Sequence, residues 1–321
     1  YHFPDGNAAI ARLLVRSLIR GVAPGRTMND VVEARFDYSK LDRDGQAVRL
    51  RLNATCVNVR DSGGKVQVAY VRDGALRRVE ARHAVLACFN MMIPYIAPDL
   101  SAPQRAALSQ NVKTPICYTN VLVRNWQAFT ALKLQSIHLP MGFHHQVSLD
   151  FPVSLGGYKN PRDPSEPMLL HLVHVPGAPN SGLDARAQFR LGREKLYTTT
   201  FADFEARIRD ELDRILGAGG FASSRDIAAI TVNRWPHGYS YVANSLFDPD
   251  DYEDRVLKVA RQRAGNIAIA NTDAGGDAWV HYAIDQADRA VREALQQLCG
   301  EGLVDPGAHV ARRGRGTASS R

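Results

Sequence analysis

The sequence is poor in the features that identify membrane-spanning and cysteine-stabilised proteins. No apolar run reaches the ~18 residues that a membrane-spanning helix needs. The four cysteines, Cys56, Cys88, Cys117 and Cys299, lie far apart and form no CxxC pair, so no cysteine-based metal site is predicted. The first three stand in apolar, strand-like runs, where buried and inert thiols are expected.

Basic stripes that alternate with aromatic residues are also missing. The net charge of +7 comes in part from arginines near the C-terminus, so nucleic-acid binding is not predicted. A chain of 321 residues with 45% hydrophobic and 23% charged residues can bury one large core or two modest ones. The Gly-, Arg- and Ser-rich residues 300–321 are expected to be disordered. The sequence leaves a cytoplasmic and a periplasmic location open.

A small apolar strand, a glycine-rich turn and a helix follow one another near the C-terminus. The strand covers residues 267–270, the turn contains Gly275 and Gly276, and residues 283–295 carry apolar side chains at helical spacing. Such a unit brings backbone N–H groups and a helix dipole up to a phosphate or another polar ligand. From the residues alone, a strand and helix that only pack together are an equally good interpretation.

The GxGxxG fingerprint of dinucleotide-binding proteins occurs nowhere in the chain. The glycines of residues 217–220 follow a predicted helix and are interpreted as its end. Residues 48–81 predict paired strands with turns at Gly63-Gly64 and Asp73-Gly74. The apolar run 83–88 predicts a strand that is buried on both faces. The pattern is that of a mixed α/β protein.

The middle of the chain combines regular elements with one long irregular segment. Helical spacing predicts helices over residues 185–196 and 202–216, and apolar runs predict strands over 116–124, 168–175 and 227–235. Residues 134–167 are rich in His, Gly and Pro. An irregular segment of this length usually wraps a ligand or has another function.

Aromatic residues cluster in residues 234–241, Arg-Trp-Pro-His-Gly-Tyr-Ser-Tyr. Pro236 and Gly238 are expected to end the preceding strand, so that the aromatic side chains project from a loop. Aromatic faces suit an amine or ammonium group, through cation–π attraction of ~1 kcal/mol. A surface aromatic corner explains the same residues without a ligand.

The histidines do not predict a metal site. His144-His145 and His171-x-x-His174 have no third Cys, His or acid at a structural zinc spacing. On a strand, His171 and His174 would also face opposite sides. Core or surface positions are therefore expected for all four histidines.

The C-terminal strand, turn and helix resemble the flavin-binding segment of the flavin amine oxidase family, in which a strand end, an acid, an aromatic residue and a helix follow one another. The segments HFPDGN, NMMIPYIAPDL, VKTPICYTNVLVRNW, LDFPVSLGGY and NRWPHGYSY are similar in particular to the bacterial spermidine dehydrogenase group of that family. Asn271 and Tyr282 stand where the family has glycine, and both narrow the space beside a cofactor.

The resemblance implies an incomplete FAD-binding Rossmann-like domain and a sheet-and-helix substrate domain of the amine oxidase type. Residues 48–95 and 241–299 would belong to the FAD-binding domain, and residues 96–240 to the substrate domain. Residues 1–47 would form the start of the substrate domain and a linker. The missing N-terminal GxGxxG region, or another chain, would complete the FAD site.

The resemblance also assigns residues to the flavin. The residues that would contact FAD are Cys56, Val57, Ala87, Asp273, Ala274, Trp279 and Ala283. Asp273 would be the acid on the ribityl or pyrophosphate side. Trp279 and Tyr239 would form the two walls of an aromatic cage that aligns the amine at the flavin.

Substrate and haem residues follow from the same resemblance. The residues that would bind substrate are Asp150, His145 and Trp235. Asp37 and Glu166 are further carboxylates that could compensate the distant ammonium groups of a polyamine. Haem b would be a second cofactor. Its ligand would be one of His144, His145 and His237.

The activity that the resemblance implies is oxidation of a polyamine C–N bond by FAD. Hydride would go to flavin N5, and the imine would be hydrolysed to an aminoaldehyde and a diamine. The lysine that holds a water molecule near flavin N5 in many amine oxidases would fall near Thr119 and Asn120, where the sequence has none. A dehydrogenase with a separate electron acceptor is therefore implied. The alternatives are a carotenoid-type flavin desaturase and a cofactor-free fragment that binds another subunit.

Overall fold

The computed structural model describes residue 3, residues 6–150 and residues 153–300, so the predicted disordered tail from residue 301 onward lies outside the described residues. The α-helices are α1 Ala8–Leu18, α2 Ile93–Ile96, α3 Ala102–Leu108, α4 Gln127–Leu132, α5 Ala185–Thr198, α6 Phe201–Leu216, α7 Ser223–Asp226, α8 Lys258–Ala260, α9 Thr272–Gly275 and α10 Val280–Gly300. The strands are β1 Thr55–Asp61, β2 Val66–Arg72, β3 Ala75–Ala81, β4 Ala84–Leu86, β5 Thr114–Val123, β6 Ser136–His138, β7 Gln146–Leu149, β8 Met168–His174, β9 Ile227–Tyr239 and β10 Ile267–Ile269.

The chain forms two compact units. Unit 1 contains Tyr1–Leu52 and Lys113–Gly238, and unit 2 contains Asn53–Val112 and Tyr239–Arg321. The domain boundaries inferred from the sequence stay predictions. Within the described part of the chain, no helix combines the length and the apolar character that a membrane span requires.

Unit 1 is built on a five-stranded sheet with the strand order β6-β7-β8-β5-β9. Antiparallel pairing joins β6 to β7, β7 to β8 and β8 to β5. Alternate residues of β5, among them Cys117, Val121 and Val123, are buried in one core with residues of α4 and α6. The helices therefore cover one face of the sheet, and the intervening residues of each strand lie on the other face.

Helix α6 covers the sheet with an apolar stripe. The helix begins with a capping box, in which Thr200 Oγ1 accepts the N–H of Asp203 at 3.1 Å and the Thr200 N–H donates to the Asp203 carboxylate at 3.2 Å. Phe204 and Ile208 are buried one turn apart. The prediction that the glycines of residues 217–220 end this helix is confirmed.

The prediction that Pro236 and Gly238 end their strand is wrong, because β9 continues through both residues to Tyr239. β9 lies at the edge of the sheet, and an edge strand tolerates a proline because its outer side needs no N–H donor. Gly238 permits a close approach to β5. A Cβ at Gly238 would lie 2.4 Å from Ile116 Cγ2 and 3.1 Å from the Thr114 carbonyl oxygen.

Unit 2 combines a three-stranded antiparallel sheet, β1-β2-β3, with a parallel pair formed by β4 and β10. The predicted turn between β2 and β3 is confirmed: Asp73 and Gly74 both have positive φ, 53° and 73°, as a two-residue hairpin turn requires. β1 begins at Thr55, so residues 48–54 do not form the predicted start of this strand.

The parallel pair corrects the prediction of a return strand buried on both faces. β10 is buried at every position, but in β4 the side chain of Val85 is 44% exposed. Leu86 packs in the core of unit 2 with Ile93 and Ile269. An apolar run does not reveal how many faces of a strand are covered, because every second side chain points away from the core.

Gly192 in α5 lies where a side chain would not fit. A Cβ there would be 2.2 Å from the Pro176 carbonyl oxygen and 3.0 Å from Pro115 Cγ. Gly192→Ala is expected to lower the free energy of unfolding by about 2 kcal/mol, because overpacking forces the backbone apart. Gly217→Ala is the matched control, since Gly217 also has a helical φ of −58° and no atom beyond its chain neighbours and its own helix backbone lies within 4 Å of its Cβ position. Equal unfolding midpoints of the two variants in urea would contradict this explanation.

Candidate functional site

The parallel strands β4 and β10 end at the same edge of unit 2. The carboxyl ends of parallel strands are the usual ligand-binding edge of an open α/β sheet. Polar residues follow both strands: Asn90 comes after β4, and Asn271, Thr272 and Asp273 come one residue after the end of β10. The site is therefore assembled from segments that lie far apart in the sequence.

Asp273 lies at the centre of a buried hydrogen-bond network at this edge. Its side chain is 1% exposed. The Oδ2 atom accepts the backbone N–H of Asn90 at 3.0 Å, and the Oδ1 atom accepts the hydroxyl of Ser240 at 2.8 Å. The carboxylate thus links the end of β10 to Asn90, in the loop after β4, and to Ser240, the residue after β9. Both oxygens of the Asp273 carboxylate therefore accept hydrogen bonds from within the protein.

Asn271 joins the two strand ends. Its Nδ2 donates to Asn90 Oδ1 at 3.0 Å and to the Cys88 carbonyl oxygen at 2.5 Å. Its Oδ1 accepts the N–H of Ala274 at 2.7 Å and so caps α9. Asn90 in turn donates from Nδ2 to Asn111 Oδ1 at 2.9 Å. Asn271 therefore has a structural function at the position where the resemblance expects glycine, and a glycine would leave these bonds unmade.

The residues predicted to contact FAD differ in exposure. The exposed ones are Val57, Ala87 and Trp279. The half-buried or buried ones are Cys56, Asp273, Ala274 and Ala283. Burial raises the pKa of the Cys56 thiol, so this cysteine is not activated as a nucleophile. The contacts of these residues with FAD stay predictions.

Tyr239 and Trp279, the predicted cage residues, both present aromatic surface. Tyr239 ends β9 and is 41% exposed, and Trp279 precedes α10 and is 66% exposed. Exposed aromatic rings at the end of a sheet are available to a ligand. Their arrangement as facing walls stays a prediction.

A row of polar side chains crosses the sheet of unit 1 on the face opposite the helices. The strand register places Ser136 opposite Ser148, Ser148 opposite His171, and His171 opposite Asn120. The neighbours of these residues along the strands, such as Val147 and Leu172, are buried in the core on the helix-covered side. We call Ser136, Ser148, His171 and Asn120 the polar row.

His171 is held in one orientation within the polar row. Its Nδ1 lies 3.2 Å from Asn120 Oδ1, and its ring centroid lies 4.9 Å from that of Tyr118. With the amide oriented in this way, Nδ1–H is the donor and Nε2 keeps its lone pair. Burial lowers the pKa of His171, and the nearby Asp150 carboxylate opposes this effect. His171 is therefore a neutral acceptor at neutral pH.

Of the predicted substrate residues, Asp150 lies near the polar row and Trp235 lies on the same face of the sheet. Asp150 directly follows β7, and its charge acts on His171. In β9, Ile230 and Val232 pack against the core, so the alternation of the strand places Trp235 on the side of the polar row. Trp235 is 54% exposed.

The other predicted histidines lie elsewhere. His145 and His174 line a cavity of about 500 Å³ together with Phe143. Burial lowers the pKa of His174 to about 4, although a hydrogen bond to the Phe143 carbonyl oxygen opposes this. The prediction that His171 and His174 face opposite sides of a strand is confirmed, because His174 lies with Phe143 on the helix-covered side. His145 is therefore separated by the sheet from Trp235.

His144 is the most buried histidine of this cluster. Its side chain is 0% exposed, and its Nδ1 lies 2.6 Å from Glu211 Oε2. His237 is exposed near the end of β9. Among the described residues, no group of three or more His, Cys, Asp or Glu side chains is arranged to hold a metal ion.

Sequence reasoning missed Asn90, Ser240 and the polar row. Asn90 lies 183 residues from Asp273 in the sequence, and Asn120 lies 51 residues from His171. The alternation of apolar and polar residues in β5, β7 and β8 was the available signal for the polar row. Alternation alone does not give the register that brings the four side chains together.

Solved structures that share this fold are amine-oxidase-type flavoproteins, so the predicted fold class is confirmed. A putrescine oxidase variant, made in a structure-based redesign of cofactor binding, matches with a TM-score of 0.55 and 16% identity over 79% of this chain and 50% of that chain. Putrescine oxidase bound to putrescine gives 0.51 and 15% over 77% and 49%.

Cyclohexylamine oxidase from Brevibacterium oxydans IH-35A gives a TM-score of 0.51 and 12% identity over 78% of this chain and 49% of that chain. The chain thus spans about half the length of these structures. At this level of identity the likeness establishes the fold. No protein-family model and no curated protein matches the sequence.

Proposed function

We propose that this chain is part of an FAD-dependent dehydrogenase that oxidises a C–N bond of a polyamine, as spermidine dehydrogenases do. The observation that carries the proposal is the edge of unit 2 where β4 and β10 end, with the buried Asp273 network and the exposed Trp279 beside it. Cofactors of open α/β sheets bind at such an edge. The fold likeness to putrescine oxidase and cyclohexylamine oxidase supports an amine substrate.

The chemistry of this edge fits the ring end of FAD. Ala87 and Trp279 are exposed and offer the apolar surface that a planar ring system buries. The exposed Val57 would lie against the adenine end of FAD. FAD, when bound, supplies the hydride acceptor. The sequence has no GxGxxG segment, so we propose that the pyrophosphate is held by a segment outside this sequence or by another chain.

The substrate side of the proposal uses aromatic and acidic residues. Tyr239 and Trp279 would orient the reacting amine through their ring faces. Asp150 and Trp235, within unit 1, would bind an ammonium group of a polyamine, because a carboxylate compensates the desolvation of such a group and an aromatic face attracts it.

The absence of a lysine at Thr119 and Asn120, where many amine oxidases have one, supports a separate electron acceptor. Thr119 is 0% exposed, and Asn120 bonds to His171, so neither residue offers the cation that the lysine would. The proposed steps do not use haem. The ring of His144 is fully buried and its Nδ1 is held by Glu211.

The product of the complete gene that contains this chain provides the test. Spermidine added without oxygen is expected to bleach the visible flavin absorbance of the purified protein. If spermidine, putrescine and cadaverine all leave the absorbance unchanged, the proposed function is wrong. The isolated 321-residue chain is the control and is expected to retain little FAD, because the GxGxxG segment is absent. Stoichiometric FAD on this chain alone would contradict the proposed division of the FAD site.

A further inference from the structure

The cavity of about 500 Å³ on the helix-covered side of the unit 1 sheet has a mainly apolar and aromatic wall. Phe143, Val175 and Phe189 line it together with His145 and His174. Among the described residues, no Asp, Glu, Lys or Arg side chain lines this cavity. All of its lining residues belong to unit 1, so the site is defined within that unit.

The ring of His174 is held in place in this wall. It stacks on the ring of Phe143, with the centroids 4.1 Å apart and an angle of 19° between the planes. The Arg207 guanidinium lies 4.9 Å from the centroid of the same phenyl ring, and the ring of Phe204 meets it edge-on at 5.6 Å. Phe143 is thus fixed by its neighbours and in turn fixes the imidazole.

The hydrogen bond of His174 decides what its ring offers to a ligand. Nδ1 lies 2.5 Å from the Phe143 carbonyl oxygen, and a carbonyl oxygen only accepts, so Nδ1 carries the proton. Burial lowers the pKa of His174 to about 4, so the ring is neutral at pH 7 and Nε2 keeps its lone pair. Within the described part of the chain His174 forms no other hydrogen bond. Nε2 is therefore an acceptor without a donor.

The amide of Gln188 is used by the loop that precedes α5. Its Oε1 accepts the N–H of Ala178 at 3.4 Å, and its Nε2 donates to the Leu183 carbonyl oxygen at 2.9 Å. The polar groups that the wall leaves for a ligand are therefore Nε2 of His174 and the exposed ring of His145.

We propose that this cavity binds a small neutral molecule that has an apolar ring and one N–H or O–H donor, with the donor bonded to Nε2 of His174. The ring of the ligand packs against Phe189 and Val175, where aromatic contact adds to the burial of apolar surface. A cationic ligand is disfavoured because no carboxylate in the wall compensates its desolvation. The inference does not depend on the proposed function, since the proposed amine site uses other residues and a carboxylate.

Indole and N-methylindole are the probes, because they share one apolar ring system and only indole has an N–H donor. Isothermal titration calorimetry of the complete gene product at pH 7 is expected to show saturable binding of indole. N-methylindole should bind about 3- to 10-fold more weakly, as expected for the loss of one hydrogen bond. Saturating spermidine should leave the affinity for indole unchanged.

Two variants locate the site. His174→Phe keeps a stackable ring but removes the acceptor, so its affinities for the two probes should become equal. Ala185→Trp, at the first position of α5 in the cavity wall, fills the cavity and should abolish binding of both probes. Because Ala185 is only half-buried, this second variant tests the site even if His174→Phe does not fold. His83→Phe in unit 2 is the matched control and should retain the wild-type preference for indole.

The results that overturn the inference concern the location and the chemistry of the site. They are the absence of saturable indole binding, equal wild-type affinities for the two probes, and a preference for indole that persists in His174→Phe. Unchanged binding to Ala185→Trp or displacement of indole by spermidine would place the ligand elsewhere and also overturn it. None of these results bears on amine oxidation, which the bleaching of the flavin tests separately.

Discussion

Glu211→Ala is expected to lower the free energy of unfolding by about 3 kcal/mol, because it breaks a buried charge-assisted pair and leaves its partner enclosed. Glu211 is 9% exposed and His144 0%. The Glu211 carboxylate accepts from His144 Nδ1 at 2.6 Å and from the His144 backbone N–H at 3.3 Å. Within the described part of the chain, His144 Nε2 is buried without a hydrogen-bond partner. Without Glu211, the Nδ1–H and the backbone N–H of His144 would also be buried without these partners.

The matched control for Glu211 is the preceding residue of α6. Asp210 forms an exposed ion pair with Arg214 at 3.6 Å, and Asp210→Ala should change stability by less than about 0.5 kcal/mol. Glu211→Gln keeps an acceptor for the Nδ1–H and should fall between the two. Urea unfolding monitored by circular dichroism measures all three variants. A Glu211→Ala midpoint equal to that of Asp210→Ala would refute the importance of the pair.

The helices and strands that the sequence predicts well are those whose pattern is local and repeated. Residues 185–196 and 202–216 were predicted as helices and form α5 and α6. The predicted strands 116–124 and 168–175 correspond to β5 and β8. Each element has several turns or alternations, so periodicity is readable without knowledge of the neighbours.

The failures arise where a distant segment decides the outcome. β9 continues through Pro236 because it is an edge strand. It continues through Gly238 because β5 lies so close that a side chain at this position would not fit. Val85 is exposed because one face of β4 is left uncovered by the described residues. The apolar neighbours of Val85 in the sequence do not reveal this. Local composition carries no information about sheet order, so neither result was predictable from these segments.

The candidate sites repeat this contrast. The turn after β10 was located from its strand, glycines and helix, because these lie within thirty consecutive residues of the sequence. The side chains that hold Asp273 were not, since Asn90 and Ser240 belong to other segments. His171 was interpreted as a core or surface histidine. Its pairing with Asn120 depends on the register of β8 against β5.

The second large effect is expected for Asp273→Ala, with a loss of about 3 kcal/mol in unfolding free energy. The change leaves the buried N–H of Asn90 without its acceptor and removes one of two partners of the Ser240 hydroxyl, which also lies 2.7 Å from Thr272 Oγ1. Asn90 is 0% exposed, so water does not readily replace the lost bond. Asp273→Asn retains one acceptor oxygen but turns a donor toward the other partner, and should lose less. Urea unfolding of the three proteins gives the comparison.

The strand ends should loosen together in Asp273→Ala, because one carboxylate joins the loop after β4 to the end of β10. Hydrogen exchange of the Asn90 amide should accelerate in this variant, while amides of β2 and β3 exchange as in the wild type. Asp285→Ala, an exposed acid on α10, is the control and should change stability by less than about 0.5 kcal/mol. Unchanged protection of the Asn90 amide in Asp273→Ala would show that the carboxylate does not hold this edge together. Under the proposed function, the same loosening should weaken FAD retention by the complete gene product, because the predicted flavin contacts Ala87 and Ala274 lie on the two segments that Asp273 joins.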